Sequence, residues 1–375
     1  MNVPKLRFKE FNDEWNLIRL GDCCNLITKG TTPNRFSESG IKFIKIESLI
    51  SKKIDNNKCL YVDEKTHITS LKRSVLEEKD VLFAIAGATI GKCGIIEKEN
   101  LPSNTNQALA ILRTNPKKLN PYFLLNVLDS NIMKKYILLN ISVGAQPNLN
   151  LEQMNNFKFK LPSKEEQLKV ANFLSLLDKK IELQLKKIED LKLFKKGLST
   201  TIFNSLRDFE EYKLGKICNI TTGKLDANAM IDNGKYRFYT CAKEYSLIDK
   251  YAFDTEALLI SGNGAYVGYI HYYKGKFNAY QRTYVLDNFS QNIQFIKCYL
   301  EENLAKRINS EKKEGNTPYI VLSTLSDMVI KIPSKENQIK ISNIINCHNK
   351  KIELEENKLL KLQELKKGLM QSMFV

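Results

Sequence analysis

The chain repeats part of itself, and this repeat limits the folds that the sequence can adopt. The segment from Lys160 to Phe203 returns from Lys331 to Phe374 at an offset of 171 residues, without a gap. Twenty of the 44 aligned positions are identical, which chance does not produce. A repeat of this kind indicates that one structural element occurs twice in the fold.

A weaker repeat precedes each copy of the strong one. Leu20 to Leu26 is echoed by Leu214 to Ile220 at an offset of 194 residues, so the first intervening stretch is 23 residues longer than the second. Between these anchors the halves share little beyond the glycines of Gly87–Gly91 and Gly264–Gly268. The sequence therefore divides into variable segments and repeated segments, which alternate as 1–157, 158–207, 208–330 and 331–375.

The repeated segments have the features of long helices. Ser163 is followed three residues later by Glu166, which predicts an N-cap with a capping box. Ser334 predicts the second N-cap, with Asn337 in place of the glutamate. No Pro or Gly interrupts residues 164–196. A helix of about 40 residues is roughly 60 Å long.

Apolar residues in both repeated segments recur at alternating spacings of three and four, the heptad pattern of a coiled coil. The residues of this seam are Leu174, Leu177, Ile181, Ile188, Leu191, Leu198 and Ile202 in the first copy, and Ile345, Ile352, Leu359, Leu362, Leu369 and Met373 in the second. Two equivalent seams in one chain most simply bury each other as an antiparallel pair. The alternative is a coiled coil with another chain. Polar seam positions, which we interpret as register-setting residues or partner contacts, are Gln184, Lys195, His348, Glu355 and Lys366.

The variable segments have a different pattern. Stretches rich in Ile, Val, Tyr and Phe, such as residues 80–87 and 283–289, predict strands. Tyr122–Lys135 and Gln294–Lys306 predict short helices. The sequence therefore predicts an α+β protein, in which two mixed α/β domains are separated by a pair of long antiparallel coiled-coil helices with a pseudo-two-fold internal repeat.

The positive charge of the chain favours an acidic partner. The chain has 58 Lys and Arg residues against 42 Asp and Glu, a net charge of +16, which suggests nucleic acid before membrane. A Lys-rich proteome is the alternative explanation. Residues 1–157 carry a net charge of +6, whereas residues 208–330 carry 15 basic and 15 acidic residues. The second variable domain is therefore expected to bind anything acidic through a local patch.

Several segments resemble catalytic motifs only superficially. Gly87 to Cys93 has three residues between its glycines where a P-loop needs four, and it ends in Cys instead of Ser or Thr. Asn120-Pro121-Tyr122-Phe123 lacks the second proline of an amino-methyltransferase motif, and we interpret it as a helix start. The chain thus carries no recognisable active site.

Metal, membrane and secretion signals are also missing from the sequence. The eight cysteines include no C-x-x-C pair and the three histidines are isolated, so we expect no metal site and no disulfide framework. No apolar run approaches the roughly 18–20 residues of a membrane helix. The N-terminus has no apolar signal core. A cytoplasmic location is expected.

The arrangement of these segments resembles the specificity subunit of type I restriction–modification enzymes. The alternation of variable domain and repeated helix covers essentially the whole chain, and the opening residues Val3 to Phe8, Trp15 and Leu20-Gly21 are similar to the start of that family. The first repeated segment resembles the boundary signature of that family at Leu161-Pro162, Glu166-Gln167 and Asp178 to Ile181. The second copy has Asn337 and Asn349 in place of the acidic residues Glu166 and Asp178. Residues 253–264 and 275–282 also resemble a target recognition domain.

The resemblance implies a function. Each variable domain would read one half of a bipartite double-stranded DNA target, and the helices would set the spacer. Two methyltransferase subunits and two motor–nuclease subunits would complete the enzyme. AdoMet, ATP and magnesium would bind to those partners, and this chain would be non-catalytic, without a cofactor of its own.

Candidate DNA contacts follow from the residue types that read base edges or phosphates. In the first domain they are Lys29, Thr31, Thr32, Arg35, Lys92, Asn104, Asn106, Gln107 and Gln146. In the second domain they are Lys224, Asn263, Tyr266, Gln281, Arg282 and Thr317. Each could equally be a solvated loop residue. Two other functions remain open, a self-sufficient DNA adenine methyltransferase and a coiled-coil scaffold without DNA function.

Overall fold

The structure is a computed structural model that describes residues 3–141, 148–311 and 319–374. The chain forms two compact units, one from Met1–Gln184 with Lys358–Val375 and the other from Leu185–Asn357. Each unit therefore contains one variable domain and a segment of each long helix. The candidates Gln146 and Thr317 lie outside the described residues.

The first unit begins with a mixed domain. Its strands are β1 (Asn16–Arg19), β2 (Cys24–Lys29), β3 (Ile41–Ile44), β4 (Leu49–Ile50), β5 (Lys53–Ile54), β6 (Leu60–Val62), β7 (Val81–Ala84), β8 (Cys93–Ile95), β9 (Ser103–Thr105), β10 (Leu109–Thr114) and β11 (Lys158–Leu161). Its helices are α1 (Glu64–Ile68), α2 (Pro121–Asp129), α3 (Asn131–Asn140) and α4 (Leu151–Asn156). The long helix α5 (Lys164–Asn204) follows β11.

Two sheets form the body of the first domain. Strands β2, β10, β7 and β8 pair in that order, and all of these pairs are antiparallel. Strands β6, β3 and β9 form the second sheet, in which β3 and β9 are parallel. Phe83 and Leu112 of the first sheet share a buried core with Phe123 of α2, Leu174 of α5 and Met373. The long helices thus contribute directly to the core of this unit.

The single helix predicted over Tyr122–Lys135 is wrong, because the segment forms α2 and α3 with a break at Ser130. Ser130 has an extended backbone, and its side chain accepts a hydrogen bond from the backbone N–H of Ile132, 3.3 Å away. A serine oxygen that caps the next helix competes with continuation of the previous one. The local side-chain chemistry therefore overrides the apolar periodicity.

The second unit contains the second mixed domain. Its strands are β12 (Glu210–Lys213), β13 (Asn219–Thr222), β14 (Tyr236–Tyr239), β15 (Ser246–Ile248), β16 (Phe253–Ser261), β17 (Ile270–Ala279), β18 (Thr283–Asp287) and β19 (Val329–Ile332). Its helices are α6 (Leu214–Ile217), α7 (Ile293–Glu311), α8 (Leu322–Ser326) and the long α9 (Lys335–Met373). Successive residues of β16 face opposite sides of the sheet, so that Leu258 packs with Phe295 of α7 and Leu259 packs with Phe277.

The two variable domains share a strand order although their sequences differ. The second sheet runs β13, β18, β16, β17, β14 and β15, with β14 and β17 parallel. In the first domain, β2, β10 and β7 occupy the places of β13, β18 and β16. The single strand β17 pairs with both β16 and β14, whereas β8 pairs with β7 and β9 pairs with β3. One long strand therefore corresponds to two short ones.

This correspondence accounts for most of the extra length of the first domain. When the two domains are aligned by their strand pairing, β3 and β6 correspond to β14 and β15. Nine of the 23 extra residues then lie between β3 and β6, the segment that contains the β4–β5 hairpin. Another nine lie between β6 and β7, a segment that includes α1. The insertions are thus confined to connections and leave the shared strand order intact.

Within each unit, the segments of α5 and α9 pair in an antiparallel manner. In the first unit, Asp178 forms an ion pair with Lys366. In the second unit, the partner numbers in α9 fall as those in α5 rise, because Lys187 contacts Glu355 and Phe194 contacts His348. All predicted seam residues are buried or half-buried, with Leu174 and Ile345 at most 1% exposed. The helices therefore pair within the chain.

Candidate nucleic-acid interface

One turn has the same hydrogen bonds in both variable domains. It connects β7 to β8 in the first domain and β16 to β17 in the second. The backbone bonds are Gly91 N–H to Ala84 (2.9 Å) and Ile90 N–H to Gly87 (3.2 Å), and Gly268 N–H to Ser261 (2.8 Å) and Val267 N–H to Gly264 (3.2 Å). All four glycines have φ between +79° and +92°, a backbone conformation that favours glycine. The turn leads into a strand and not a helix, so it differs from a P-loop in position as well as spacing.

Each of these turns rests on a helix of its own domain. A Cβ atom at Gly91 would lie 3.0 Å from the Cδ1 atom of Ile137 in α3, and one at Gly268 would lie 2.8 Å from that of Ile308 in α7. The two isoleucines are themselves 171 residues apart, the offset of the strong repeat. The glycines therefore allow the turn and the helix to approach closely.

Another pair of loops meets beside a second pair of equivalent glycines. Gly30 follows β2 and donates its N–H to Leu109, while Gly223 follows β13 and donates to Thr283. A Cβ atom at Gly30 would lie 2.1 Å from the carbonyl oxygen of Thr105, and no side chain fits there. The loop after β2 consequently lies against residues 105–108, and the loop after β13 lies against residues 279–282.

This contact brings together several candidates of the first domain. The Thr32 hydroxyl donates to the side-chain oxygen of Gln107, and the Thr31 N–H donates to the Thr105 carbonyl at 3.0 Å. Asn106 lies beside them and accepts a bond from the Ala108 N–H. Gln107 and Thr32 are exposed, as are Lys29 and Arg35 at the start and end of the same loop. Lys92 lies apart in the β7–β8 turn, where its ammonium group donates to the Ile46 carbonyl.

Asn104 cannot serve as a DNA contact, which corrects the expectation from sequence. Its side chain is fully buried. The amide nitrogen donates to the Leu71 carbonyl at 3.1 Å, and the amide oxygen lies 2.6 Å from Nδ1 of His67. All three residues of strand β9 are buried, so the strand lies inside the domain and neither of its faces reaches solvent.

The candidates of the second domain lie on loops that contact one another. Gln281 donates its N–H to the Leu225 carbonyl (2.9 Å), next to Lys224, and Gly262 donates to the Arg282 carbonyl (2.8 Å), next to Asn263. Lys224, Gln281 and Arg282 are exposed, and Asn263 is half-exposed. Tyr266 is 43% exposed on the β16–β17 turn.

The structure adds two basic residues that the sequence analysis missed. Arg73 donates from Nη2 to the Thr31 hydroxyl at 3.3 Å, and the Lys243 ammonium lies 5.3 Å from the centre of the Tyr266 ring. Both come from segments distant in sequence from their partners. In the second case, basic residues and tyrosines alternate over residues 235–245, a sequence signal that marks this segment.

The comparison with protein families decides the classification. The model of the type I restriction modification DNA specificity domain matches residues 12–193 and 207–364. The chain belongs to this family. The resemblance inferred from the repeat is thereby confirmed, and the two matches correspond to the two halves of the repeat.

Curated specificity subunits are similar to parts of this chain. It is 35% identical over 165 residues to the type I restriction enzyme EcoDI specificity subunit of Escherichia coli, an alignment that covers 44% of this chain and 36% of that protein. It is 30% identical over 226 residues to the putative MjaX specificity subunit of Methanocaldococcus jannaschii, with 58% and 52% covered. The chain thus spans about half or less of the length of these relatives.

Solved structures of specificity subunits share the fold. The S subunit of a type I restriction–modification system from M. genitalium superposes with a TM-score of 0.67 at 17% identity, covering 100% of this chain and 99% of that one. A chain from the structure that describes complex assembly and conformational transition of the type I R-M system gives 0.61 at 16% identity, covering 95% and 96%. At these identities the similarity concerns the fold alone.

The specificity-family boundary signature has a structural role at both helix starts. The Gln167 side-chain oxygen accepts from the Asn120 N–H (2.8 Å) and its nitrogen donates to the Pro162 carbonyl (3.0 Å). The equivalent bonds of Gln338 are with the Asn292 N–H (3.0 Å) and the Pro333 carbonyl (2.9 Å). Both glutamines are 1% exposed. They join each long helix to the N-cap residue of a helix in its variable domain.

The predicted capping box differs from the observed one. Ser163 does cap α5, since its hydroxyl accepts from the Glu166 N–H at 3.3 Å. The Glu166 carboxylate, however, is buried and accepts from the Arg7 guanidinium and from Trp15 Nε1. The acidic residue therefore serves a tertiary contact with the N-terminal segment.

In the described part of the chain, no cluster of three or more His, Cys, Asp or Glu side chains is suited to a metal ion. No helix that the structure describes is long and apolar enough to span a membrane.

Proposed function

We propose that this chain is the DNA-sequence specificity subunit of a type I restriction–modification complex and that each variable domain reads one half of a bipartite target. The observation that supports this most directly is the pair of matching loop sets. Both domains hold the same glycine-bounded turn and the same loop contact on the same strand order, yet the side chains that these loops carry differ. A shared frame with different polar side chains suits two different half-sequences.

The exposed groups on these loops have the chemistry of DNA readout. Hydroxyl and amide groups such as those of Thr32 and Gln107 bond to base edges, and guanidinium and ammonium groups such as those of Arg282 and Lys224 bond to guanine or phosphate. Each domain thus offers both neutral polar groups and cations, but the residues that carry them differ between the two sets of loops. We therefore expect the two half-sequences to differ.

The long helices are proposed to set the spacer and to bind methyltransferase subunits. Exposed apolar side chains recur at equivalent helix positions in α5 and α9: Leu168 and Ile339, Phe173 and Ile344, Leu183 and Leu354, and Phe194 and Leu365. Equivalent surfaces bind copies of one partner. This favours two methyltransferase copies, with two motor–nuclease subunits completing the enzyme.

The cofactors are proposed to belong to those partners, and this chain is proposed to be non-catalytic. AdoMet would bind to the methyltransferase subunits, and ATP and magnesium to the motor–nuclease subunits. Calorimetric titration of the isolated chain with AdoMet is expected to show no binding. Binding of AdoMet with methyl transfer to DNA would instead support the self-sufficient methyltransferase.

A domain exchange tests the recognition proposal. Residues 1–157 would be replaced by the matching domain of a relative, and the chain would be expressed with its methyltransferase subunits. Methylome sequencing should show one half-sequence changed and the other retained. Alteration of both halves would contradict the division of the target between domains, and absence of any sequence-specific methylation by the unmodified complex would favour the scaffold alternative.

A further inference from the structure

The second variable domain, which is neutral overall, has three cations together in one groove. Many of its cations are engaged in ion pairs: Lys213 with Asp327, Lys274 with Glu256, Lys297 with Glu301, Lys306 with Glu302, and Arg307 with Glu311. Among the described residues, no carboxylate lies within 4.0 Å of the charged nitrogens of Lys235, Arg237 or Lys276. These three cations line one groove of about 480 Å³.

Arg237 is held in a fixed orientation in this groove. Its guanidinium carbon lies 4.4 Å from the centre of the Tyr245 ring and 4.5 Å from that of Tyr273. Nη1 also donates to the Tyr239 hydroxyl at 3.3 Å. Stacking on two rings covers much of the guanidinium surface, whereas its nitrogen edge can still donate hydrogen bonds. A guanidinium edge matches two phosphate oxygens in a bidentate manner.

Two lysines and one carboxylate complete the groove. Lys235 and Lys276 are exposed, and the Lys276 ammonium lies 4.8 Å from the centre of the Tyr251 ring. Asp254 also lines the groove. Three cations and one carboxylate leave a net charge of about +2. Because a phosphate is negatively charged, this groove suits a phosphate bound in a bidentate manner better than a neutral base.

A series of ring contacts connects the groove with the β16–β17 turn. The Tyr239 ring contacts both Tyr245 of the groove and His271, whose ring contacts Tyr269 of the β16–β17 turn. His271 Nε2 also lies 2.9 Å from the carbonyl oxygen of Ala242, which precedes Lys243. The groove is therefore connected to the turn that carries Tyr266 through ring contacts inside the same domain.

From this arrangement we propose that the Arg237 groove binds a phosphate of the DNA backbone beside the second half-site. The inference rests on the proposed function, because it assigns the anion to the DNA target. The guanidinium of Arg237 is held by cation–π contacts with two tyrosine rings and would bind phosphate oxygens, so it contributes affinity and orientation without reading base identity.

The test uses the complex of the full chain with its methyltransferase subunits and measures DNA binding as a function of salt. Arg237→Gln should weaken binding by about tenfold and reduce the slope of log K against log salt by about one, on cognate and non-cognate duplexes alike. Lys216→Gln is the matched control, since it removes one exposed positive charge from the same domain outside the groove. Unchanged affinity and slope relative to this control would overturn the proposal.

A second variant separates phosphate binding from folding. Lys235→Gln combined with Lys276→Gln leaves the Arg237 stack intact and should also lower the salt slope, with an unchanged thermal melting curve. An altered methylated motif in the Arg237 variant would mean that Arg237 reads a base, which also overturns the proposal. If the unmodified complex bound cognate and non-cognate DNA equally, the proposed function would fail, yet the slope on either duplex would still decide whether Arg237 contacts phosphate.

Discussion

At the scale of single residues, two pairs of equivalent glycines have opposite surroundings. Gly91 and Gly268 have positive φ and face an isoleucine at 3.0 Å or less, whereas Gly197 and Gly368 lie in the long helices with nothing within 4 Å of an added Cβ. Gly268→Ala should lower the free energy of unfolding by about 1–3 kcal/mol, through backbone strain and steric contact. Gly197→Ala should raise it by about 0.5–1 kcal/mol, because alanine favours the helix. Denaturant titration would measure both, and destabilisation by Gly197→Ala would mean that its helix surface is already occupied.

His271 should make the second variable domain sensitive to acid. Burial lowers the pKa of its imidazole below the ordinary value of 6.5, although the hydrogen bond with Ala242 partly opposes this. The unfolded chain therefore binds a proton at a pH where the folded chain does not. The contribution of the neutral His271 to the free energy of unfolding should be complete above about pH 6.5. It should be lost as the pH falls through the lowered pKa.

The measurement is the urea midpoint at about pH 7.5 and about pH 5.5 for the unmodified chain and for His271→Gln, which cannot take up that proton. The fall in the midpoint should be smaller in the variant. An equal fall in both proteins would show that other groups govern the acid sensitivity.

The sequence predicts residue types at the interface better than it predicts their exposure. The polar chemistry of Lys224, Gln281 and Arg282 predicts DNA contacts, and these residues are exposed. The same chemistry predicts a contact at Asn104, which is buried because its amide bonds to Leu71 and His67 from other segments. A polar side chain in a short strand has no local sign of such partners, so long-range hydrogen bonding cannot be inferred from its neighbours.

At the scale of elements, the two boundary glutamines should stabilise the junctions of the long helices. Gln167→Ala and Gln338→Ala each leave a part-buried helix-start N–H without its acceptor, that of Asn120 or Asn292. Each change should cost about 1–3 kcal/mol of the free energy of unfolding. Gln363→Ala, at an exposed position of α9, is the matched control and should change stability by less than about 0.5 kcal/mol. A similar loss in all three variants would argue against the junction bonds.

The β4–β5 hairpin should be held to the helices of the first unit by Lys52. Its ammonium lies 2.7 Å from Asn126 Oδ1, 3.2 Å from Asp129 and 3.3 Å from Asp178, with the side chain 11% exposed. Lys52→Met should cost about 1–3 kcal/mol, because Asp129 loses the cation that pairs with it and Asp178 keeps only Lys366. Lys53→Met is the control: its pair with Glu182 is more than half exposed, so the cost should stay below about 1 kcal/mol. Equal costs in denaturant titrations would contradict the difference in burial.

Long helices were predictable from sequence, and the β connections were not. The N-caps at Ser163 and Ser334 and the heptad seam depend on residues close in sequence. The split of one strand into β8 and β9, and the hairpin that carries Lys52, depend on pairing partners many residues away. Helix signals are local, whereas strand pairing requires knowledge of the register.

At the scale of the whole molecule, the paired helices should act as a ruler for the spacer. Inserting seven residues after Lys187 and seven after Glu355, which face each other in an ion pair, preserves the heptad phase. The insertion lengthens each helix by about 10 Å. Because base pairs stack at about 3.4 Å, the gap in the methylated motif should grow by up to roughly three base pairs, with both half-sequences retained.

Methylome sequencing in cells that carry the methyltransferase partner measures that gap. Two residues inserted in α5 alone should instead break the seam and reduce stability or partner binding. Active enzyme with an unchanged gap after the matched insertion would show that these helices do not set the spacing.

The contacts of Gly91 with Ile137 and of Gly268 with Ile308 define the smallest portion of either domain that can be transplanted. A β7–β8 turn moved by itself into a new scaffold would meet a foreign side chain at the point where it now packs closely against the end of Ile137. Engineers who wish to graft new recognition loops should therefore move each turn together with the helix beneath it. For the same reason, natural exchange between relatives should leave the turn and its supporting helix with a common ancestry, even where the surrounding loops come from elsewhere.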